Sequence, residues 1–368
     1  MIPFVDLAAQ YRSIKSDIDA AIQDVIAASA FIHGPAVARF EKAFAALHGV
    51  RHAVGVASGT DALHLAVRAL DIGPGDEVIT VANTWISTAF AASYVGARPI
   101  LIDIDPDTYQ MDPKALERAI TPRTKAVIPV HLFGHPAPMN DILALCRPRG
   151  IKVIEDVAQA PLAEIDGRRV GTFGDVACFS FYPSKNLGCY GDGGAVITND
   201  ESLAARLREF ADYGQTVRYH HVRVGYNSRL DTLQAAVLLA KLPYLESWTR
   251  ARRENARRYD RVLKDLPVKR PVESPGTKAV YHLYVVQVDR RDECLAFLRD
   301  RGVMAQVHYP SIIHRQPCYL EFGYGPGDFP VAEAAVQRIL SLPMYPELTQ
   351  EQIDMVADVL AGFLQSRR

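Results

Sequence analysis

Short, mostly apolar segments alternate with segments of helical periodicity from about residue 50 to residue 200, and this alternation constrains the fold more than any other feature of the chain. "EVITV" at 77–81 and "RPILIDID" at 98–105 are typical of buried strands, whereas "GTDALHLAVRAL" at 59–70 places its apolar residues on one helical stripe. Apolar strands separated by helices usually form a parallel sheet that is covered by helices on both faces. The sequence therefore predicts a large α/β domain, with further strands at 52–58, 124–134, 151–159, 175–182 and 194–200.

The regular alternation ends in the last third of the chain. The elements predicted there are one long helix at 230–263, strands at 281–288 and 303–310, and amphipathic helices at 291–302 and 349–365. This arrangement is typical of an α+β unit. We therefore predict a large α/β domain of residues 1–245 and a smaller C-terminal α+β domain of residues 246–368.

Charge and composition disfavour several classes of function. The 41 Lys and Arg residues nearly balance the 42 Asp and Glu residues, so the formal net charge of -1 gives no basis for binding nucleic acid or an anionic membrane. No segment approaches the roughly 20 apolar residues of a membrane span, and the N-terminus lacks a signal sequence. The five cysteines have no CxxC spacing, which favours reduced thiols in a cytoplasmic protein. Adjacent His220 and His221 would diverge on a strand or helix, so we expect no metal site.

One lysine has surroundings unlike those of most surface lysines. Lys185 lies in "FSFYPSKNLGCYGDGG", residues 179–194, among aromatic residues, a proline and several glycines. Low-polarity surroundings disfavour the ammonium form and lower the pKa of a lysine, as an amine that forms covalent bonds requires. By itself such a lysine is more often a solvated loop residue, so its interpretation depends on other segments.

Two segments supply residues that would suit a cofactor beside this lysine. Asp156 ends an apolar strand, where ligand sites of open α/β sheets lie, and its carboxylate either holds a pyridine nitrogen protonated or caps a following helix. Gln159 comes one turn later, and its amide is placed to reach a cofactor's phenolic oxygen. "ASGTDAL" at 57–63 runs from a strand into a helix, where the N–H groups of Gly59 and Thr60 would bind a phosphate.

Two more residues complete the pattern. Trp85 falls between a strand end and a helix start, where its ring either stacks on a planar cofactor or belongs to the core. Ser180 precedes Lys185 by five residues and suits a second phosphate contact. This combination is expected of a fold-type-I enzyme in which Lys185 binds pyridoxal 5′-phosphate covalently. The chain lacks a P-loop and the GxGxxG spacing, which disfavours ATP and dinucleotides.

Many ordered motifs resemble those of one family, the DegT/DnrJ/StrS nucleotide-sugar aminotransferases. They include "PFVDL", "FIHGPAVARFE", "VASGTDALHLA", "GPGDEVIT", "PVHLFG", "VIEDVAQA", "SFYPSKNLGCYGDGG" and "GYNSRLDTLQAA". The resemblance implies an aspartate-aminotransferase-like fold with a mainly parallel seven-stranded sheet. It also implies a homodimer with shared active sites, in which an asparagine of one subunit reaches the cofactor phosphate bound by the other. The cofactor-binding residues that it implies are Gly59, Thr60, Trp85, Asp156, Gln159, Ser180, Lys185 and Asn227.

Two segments, "FYPSKNLGCYGDGG" and "YHHVRVGYNSRLDTLQAAVLLAKL", are most similar to enzymes that aminate C3 of UDP-2-acetamido-2-deoxy-3-oxo-glucuronate. Those enzymes take the amino group from glutamate and serve O-antigen and lipopolysaccharide synthesis. A guanidinium can hold a carboxylate through two hydrogen bonds, so Arg229 suits the hexuronate or glutamate carboxylate; its structural alternative is an ion pair with Asp212 or Asp231. The substrate contacts that the similarity implies are Tyr219, His220, His221, Arg229, His308 and Tyr309.

Other functions stay open at this point. A related enzyme of the same fold would aminate C4 of a nucleotide sugar, or C3 of a dTDP-linked keto-deoxysugar. A different class is a regulatory protein that binds pyridoxal phosphate without turnover. These alternatives differ in the nucleotide (UDP or dTDP), the carbon that is aminated, the presence of a C6 carboxylate and the stereochemistry of the new amine. The oligomer is either a dimer or a tetramer.

Overall fold

A seven-stranded sheet forms the centre of the computed structural model, which describes residues 1–366. The sheet has the order β1-β9-β8-β5-β4-β2-β3, and β9 alone runs antiparallel to its neighbours. The predicted α/β fold with a mainly parallel seven-stranded sheet is thus confirmed. The strands, in chain order, are β1 (His52–Val56), β2 (Glu77–Val81), β3 (Arg98–Ile102), β4 (Thr124–Ile128), β5 (Lys152–Asp156), β6 (Glu164–Ile165), β7 (Arg168–Arg169), β8 (Val176–Ser180), β9 (Gly194–Thr198), β10 (Gln215–Val217), β11 (His220–His221), β12 (Thr277–Lys278), β13 (Tyr284–Gln287) and β14 (Ile339–Leu342).

Several helices begin at side chains that accept a hydrogen bond from the first turn. Asp200 caps α8, and Thr349 forms a reciprocal capping box with Gln352 at the start of α13. None of the helices within residues 1–366 combines the length and the apolar character that a bilayer span requires. The helices are α1 (Leu7–Ser13), α2 (Lys15–Ala28), α3 (Pro35–His48), α4 (Gly59–Ala69), α5 (Ser87–Ser93), α6 (Pro113–Ala119), α7 (Met139–Cys146), α8 (Glu201–Ala211), α9 (Thr232–Lys241), α10 (Leu245–Val262), α11 (Arg291–Asp300), α12 (Pro330–Arg338) and α13 (Gln350–Gln365).

Both faces of the large sheet are buried. Val127 of β4 packs into one apolar cluster, whereas its neighbours Ala126 and Ile128 pack into the cluster on the other face. Successive side chains of a strand point to opposite faces, so the central residues of a strand covered on both sides are mostly apolar. This is the physical basis of the continuous apolar segments in the sequence.

The C-terminal part has an apolar cluster of its own, which consists of Ile2 and residues between Ala256 and Phe363. There β13 pairs antiparallel with β14, and α13 packs against α10 and α11. The start of the chain joins this part, because the N–H of Ile2 donates to the carbonyl of Gly302 at 2.7 Å. Residues before α1 therefore lie against the C-terminal part, while α2 packs against α9 of the large part.

Two predicted elements are wrong. The single helix at 230–263 is two helices, α9 and α10, separated by a short 3₁₀ turn around Pro243; proline lacks an N–H and obstructs the preceding helical turn. The segment 303–310 is not a strand, since it makes only isolated bridges at Val303 and Gln306. The strand that pairs with β13 is β14, Ile339–Leu342.

Candidate active site

The carboxyl ends of β1, β5 and β8 meet at one edge of the sheet, next to the start of β9. Ser58 follows β1, Asp156 ends β5 and Ser180 ends β8, while Gly194 of β9 pairs with both Val56 and Ser180. Parallel strands place their carboxyl ends on the same side of a sheet. The topology thus brings the residues predicted to hold a phosphate close to those predicted to hold a ring.

Asp156 is buried, with 5% of its surface exposed. Oγ1 of Thr88 donates to Oδ2 at 2.9 Å and the N–H of Ala158 donates to Oδ1 at 3.1 Å. Burial raises the pKa of this carboxyl, and the two hydrogen bonds oppose that rise. No helix follows Asp156, because residues 157–160 form a turn; the alternative role as a helix cap is therefore wrong.

Lys185 lies in the loop between β8 and β9, and its side chain is partly buried. Burial lowers the pKa of Lys185 to about 8, although the negative charge of Asp156 opposes this. Within residues 1–366, the amine has no hydrogen-bond or ion-pair partner. An amine that is partly buried, easily deprotonated and unpartnered is suited to form a covalent bond.

The start of α4 lies directly against the end of β8. A Cβ added at Gly59 would be 2.6 Å from Cβ and 3.1 Å from Cα of Ser180, so only glycine fits without displacement. Ser58 caps the helix by accepting from the N–H of Asp61, and Oγ1 of Thr60 lies 2.8 Å from Oγ of Ser87. The first N–H groups of α4 and the hydroxyl of Ser180 therefore stand together, as an anion site requires.

Gln159 is buried and its amide is oriented by two hydrogen bonds. Its Oε1 accepts from the N–H of Phe133 at 2.6 Å, so its Nε2 donates to the hydroxyl of Tyr309 at 3.0 Å. The ring of Tyr309 lies 5.3 Å from that of Trp85. Trp85 is 54% exposed, so it is not a core residue. Tyr309, predicted as a substrate contact, thus lies among the residues predicted to hold the cofactor.

Three residues near Lys185 have no signal in the sequence. Thr88 holds Asp156. Asn186 donates to the carbonyl of Val280 at 3.2 Å, and its Oδ1 lies 3.1 Å from Nδ1 of His282. Each of these contacts joins residues at least 68 positions apart, and no local pattern indicates such pairs.

Two histidines, the buried His282 and the partly buried His308, lie within the electrostatic field of Lys185. Burial lowers the pKa of His282 well below its ordinary value and that of His308 to about 4, and the charge of Lys185 adds to both effects. Nδ1 of His308 lies 2.9 Å from Oγ of Ser341, and its ring stacks on Phe4. His308 is therefore held by both ends of the chain.

The remaining predicted substrate residues lie on or near the exposed hairpin formed by β10 and β11. Tyr219, His220 and His221 are exposed, and in the part of the chain that the structure describes they make no contact with Lys185. Asn227 is also exposed, beside the hairpin.

Arg229 forms an ion pair with Asp212, whose Oδ1 lies 2.7 Å from its Nη1. This is one of the two structural alternatives that the sequence left open. Asp212 also lies 3.2 Å from Nε2 of His33 and accepts from Gln215, so it holds several partners at once. These residues line a cleft of about 480 Å³. A larger cleft of about 920 Å³ lies at the opposite ends of the strands, beside Arg206.

His131 illustrates how a buried histidine can be structural. Its Nδ1 accepts from the N–H of Ala137, so its Nε2 carries the proton and donates to Glu155 at 3.1 Å. Glu155 also accepts from three backbone N–H groups. Within residues 1–366, no group of three or more His, Cys, Asp or Glu side chains is placed to hold a metal ion.

The site fits pyridoxal 5′-phosphate. It offers an unpartnered amine at Lys185, a buried carboxylate at Asp156, an oriented amide at Gln159, and a helix start at Gly59 too close to Ser180 for a side chain. These features match the aldehyde, ring nitrogen, phenolic oxygen and phosphate of that cofactor.

Comparison with known proteins agrees with this chemistry. The family model described as the DegT/DnrJ/EryC1/StrS aminotransferase family matches residues 12–361. The "UDP-N-acetyl-3-dehydro-alpha-D-glucosamine 3-aminotranferase" of Acidithiobacillus ferrooxidans is 46% identical over 98% of this chain and 97% of its own. The "UDP-2-acetamido-2-deoxy-3-oxo-D-glucuronate aminotransferase" of Pseudomonas aeruginosa is 45% identical over 98% of this chain and all of its own. A crystal structure of Streptomyces venezuelae DesV in complex with a ketimine intermediate superimposes with a TM-score of 0.97, at 45% identity, over 99% of this chain and 98% of that chain.

Proposed function

The chain belongs to the DegT/DnrJ/EryC1/StrS aminotransferase family, and we propose that it transfers the amino group of glutamate to C3 of a nucleotide-linked keto sugar. It is an aminotransferase, and its cofactor is pyridoxal 5′-phosphate. The observation that carries the proposed site is the amine of Lys185, which has no partner within residues 1–366 and a pKa lowered to about 8. This observation also favours an enzyme over a regulatory protein that binds the cofactor without turnover.

Bound pyridoxal phosphate supplies an aldehyde that takes up the amino group and a ring that accepts the electron pair left when a proton is removed. Nζ of Lys185 would hold the cofactor covalently. As a free amine, the same atom would remove the α-proton of glutamate, for which a pKa close to the working pH is suitable. The Asp156 carboxylate would keep the ring nitrogen protonated, and that positive charge would stabilise the carboxylate in its buried position.

Other residues orient the cofactor. Nε2 of Gln159 donates to the hydroxyl of Tyr309. Because an amide nitrogen carries two hydrogens, it can also donate to the phenolic oxygen of the cofactor, either in place of the Tyr309 hydroxyl or together with it. Gly59, Thr60 and Ser180 would bind the phosphate. The half-exposed ring of Trp85 would be free to stack on the ring of the cofactor. Fixing the ring in this way keeps the bond that breaks in a constant orientation.

The active unit in this proposal is a homodimer. Val217 and Tyr219 of the hairpin, and Val224 just after it, are 65%, 79% and 82% exposed, which is unusual for large apolar side chains that face only water. A second subunit would cover them and bring Asn227 of the partner subunit to the phosphate. We also place the protein in the cytoplasm, since its five cysteines form no disulfide.

The proposed substrate is a UDP-linked 3-keto sugar, as in the names of the two curated relatives, and its product serves a bacterial surface polysaccharide. One relative acts on a glucuronate and the other on a glucosamine. Arg229 supports the glucuronate, because its guanidinium could exchange Asp212 for the C6 carboxylate and remain paired, while Asp212 keeps its contacts with His33 and Gln215.

The test is incubation with glutamate and a panel of 3-keto and 4-keto UDP- and dTDP-sugars, with products identified by mass spectrometry and NMR. Amination at C3 of a UDP-sugar is expected. Lys185→Ala is expected to lose turnover and to lose the covalent adduct that borohydride traps in the wild-type protein. Sustained transamination by Lys185→Ala, or amination at C4 alone, would contradict the proposal.

A further inference from the structure

A second lysine is buried beside the loop that carries Lys185. Lys241 ends α9 and has no exposed surface. Its Nζ donates to the carbonyl oxygen of Gly188 at 2.7 Å and lies 4.2 Å from the ring centroid of Tyr190. Burial lowers the pKa of Lys241 to about 8. A buried ammonium is costly for a folded protein, and the chemistry above gives Lys241 no role.

The loop between β8 and β9 is closed on itself. The N–H of Cys189 donates to the carbonyl of Phe181 at 2.7 Å. Gly188 packs so tightly against Pro183 that a Cβ at Gly188 would lie 2.3 Å from the Pro183 carbonyl oxygen. In a region packed this closely, Gly188 and Pro183 can only move together. A contact that fixes Gly188 therefore also fixes the backbone of Lys185, which lies between them.

Helix α9 holds this loop through two side chains. Gln234 precedes Lys241 by seven residues, two helical turns, so both project from one face of the helix. The Gln234 amide accepts from the N–H of Tyr190 at 2.8 Å and donates to its carbonyl at 3.2 Å. On the other side, Asn186 donates to the carbonyl of Val280. The loop is thus held between the large part and the C-terminal part of the chain.

We propose that Lys241 is a positioning residue for transamination, because its ammonium holds Gly188 and Tyr190 and thereby sets where the amine of Lys185 stands. The inference rests on the role proposed for Lys185. The groups whose charges interact with the Lys185 amine are Asp156 on β5, His282 and His308. The titratable groups that face Lys241 are instead Cys189 and Tyr190. Lys241 therefore acts on Lys185 through backbone position and not through charge.

The experiment compares Lys241→Met, Lys241→Arg and a control, Lys152→Met, which removes an exposed lysine paired with Asp175. In cofactor-free protein, the acylation rate of Lys185 by trace acetic anhydride is measured against pH by peptide mass spectrometry. The midpoint is the pH at which this rate reaches half of its maximum, and for the wild type it is expected at about 8. Lys241→Met should raise it by about one pH unit, because a loosened loop admits water to the amine. Lys241→Arg, which still donates to Gly188, should stay near the wild-type midpoint, as should Lys152→Met.

The same variants are then loaded with cofactor and assayed. A misplaced amine is expected to lower kcat by about 10- to 100-fold in Lys241→Met, with a much smaller change in KM for glutamate. A folded Lys241→Met protein with the wild-type midpoint would overturn the inference, even if its kcat falls, because a merely structural role leaves the Lys185 amine unchanged.

A second variant keeps the test decisive if Lys241→Met does not fold. Tyr190→Leu removes the ring that faces the ammonium and leaves α9 intact, and it should shift the Lys185 midpoint in the same direction. An unchanged midpoint in Tyr190→Leu would equally overturn the inference. Failure of the proposed function has a different signature: the wild-type protein would aminate no sugar of the panel, while the labelling midpoints would still differ between variants.

Discussion

Replacement of Gly59 by alanine tests whether the start of α4 is built to approach the end of β8 for an anion. The new Cβ would lie 2.6 Å from Cβ of Ser180, whereas carbon atoms pack at about 3.5–4.0 Å. The obstructing atoms belong to or adjoin the backbone, so no side-chain rotation relieves the contact, and α4 or β8 must move by about 1 Å. Such overpacking costs about 1–3 kcal/mol, more than the gain of about 0.4–1 kcal/mol from a less flexible unfolded chain.

Gly59→Ala is therefore expected to destabilise the cofactor-free protein by roughly 1–2 kcal/mol and to weaken binding of pyridoxal phosphate. The matched control is Gly362→Ala in α13, where an added Cβ meets nothing within 4 Å. It should stabilise the protein by about 0.5–1 kcal/mol. Denaturant unfolding measures the first effect, and an absorbance titration of the cofactor measures the second.

A double variant separates packing from anion binding. Ser180→Gly removes the Cβ that obstructs alanine at position 59, so Gly59→Ala with Ser180→Gly should recover part of the lost stability and show coupling between the sites. It should not recover cofactor affinity, because the Ser180 hydroxyl is gone. The single variant Gly59→Ala could instead have the same free energy of unfolding and the same cofactor affinity as the wild type. That result would mean that the close approach of α4 and β8 has no role in the site.

Other perturbations test the remaining residues. Asp156→Asn should lower the pKa of Lys185 below about 8 in the cofactor-free protein, since the Asp156 charge raises that pKa. The control Asp175→Asn should leave the pKa of Lys185 unchanged. A higher labelling midpoint in Asp156→Asn than in the wild type would contradict the electrostatic argument. Arg229→Ala should reduce kcat/KM for a uronate about 10- to 100-fold more than for a neutral sugar, and equal losses would remove Arg229 from carboxylate recognition. Tyr309→Phe removes the acceptor of an amide hydrogen bond and should weaken cofactor binding about 2- to 10-fold by equilibrium titration; unchanged affinity would mean that the hydroxyl is not needed.

Local sequence patterns were sufficient for most of the large sheet. Strands covered on both faces have mostly apolar residues at their centres, so β2, β3 and β5 are recognisable without knowledge of their neighbours. The break between α9 and α10 was missed because the apolar periodicity continues through Pro243. The pairing of β13 with β14 was missed because a short strand in a two-stranded ladder has no pattern long enough to distinguish it.

The chemistry of the site depends on both levels. The sequence predicts roles for Lys185, Asp156 and Gly59 because each occupies a characteristic local position: an apolar glycine-rich loop, a strand end and a helix start. Contacts such as Tyr309 with Gln159, or Lys241 with Gly188, join residues 150 and 53 positions apart. Only the folded chain brings them together, because the packing of distant elements is decided by the whole core and leaves no mark in any short stretch of sequence.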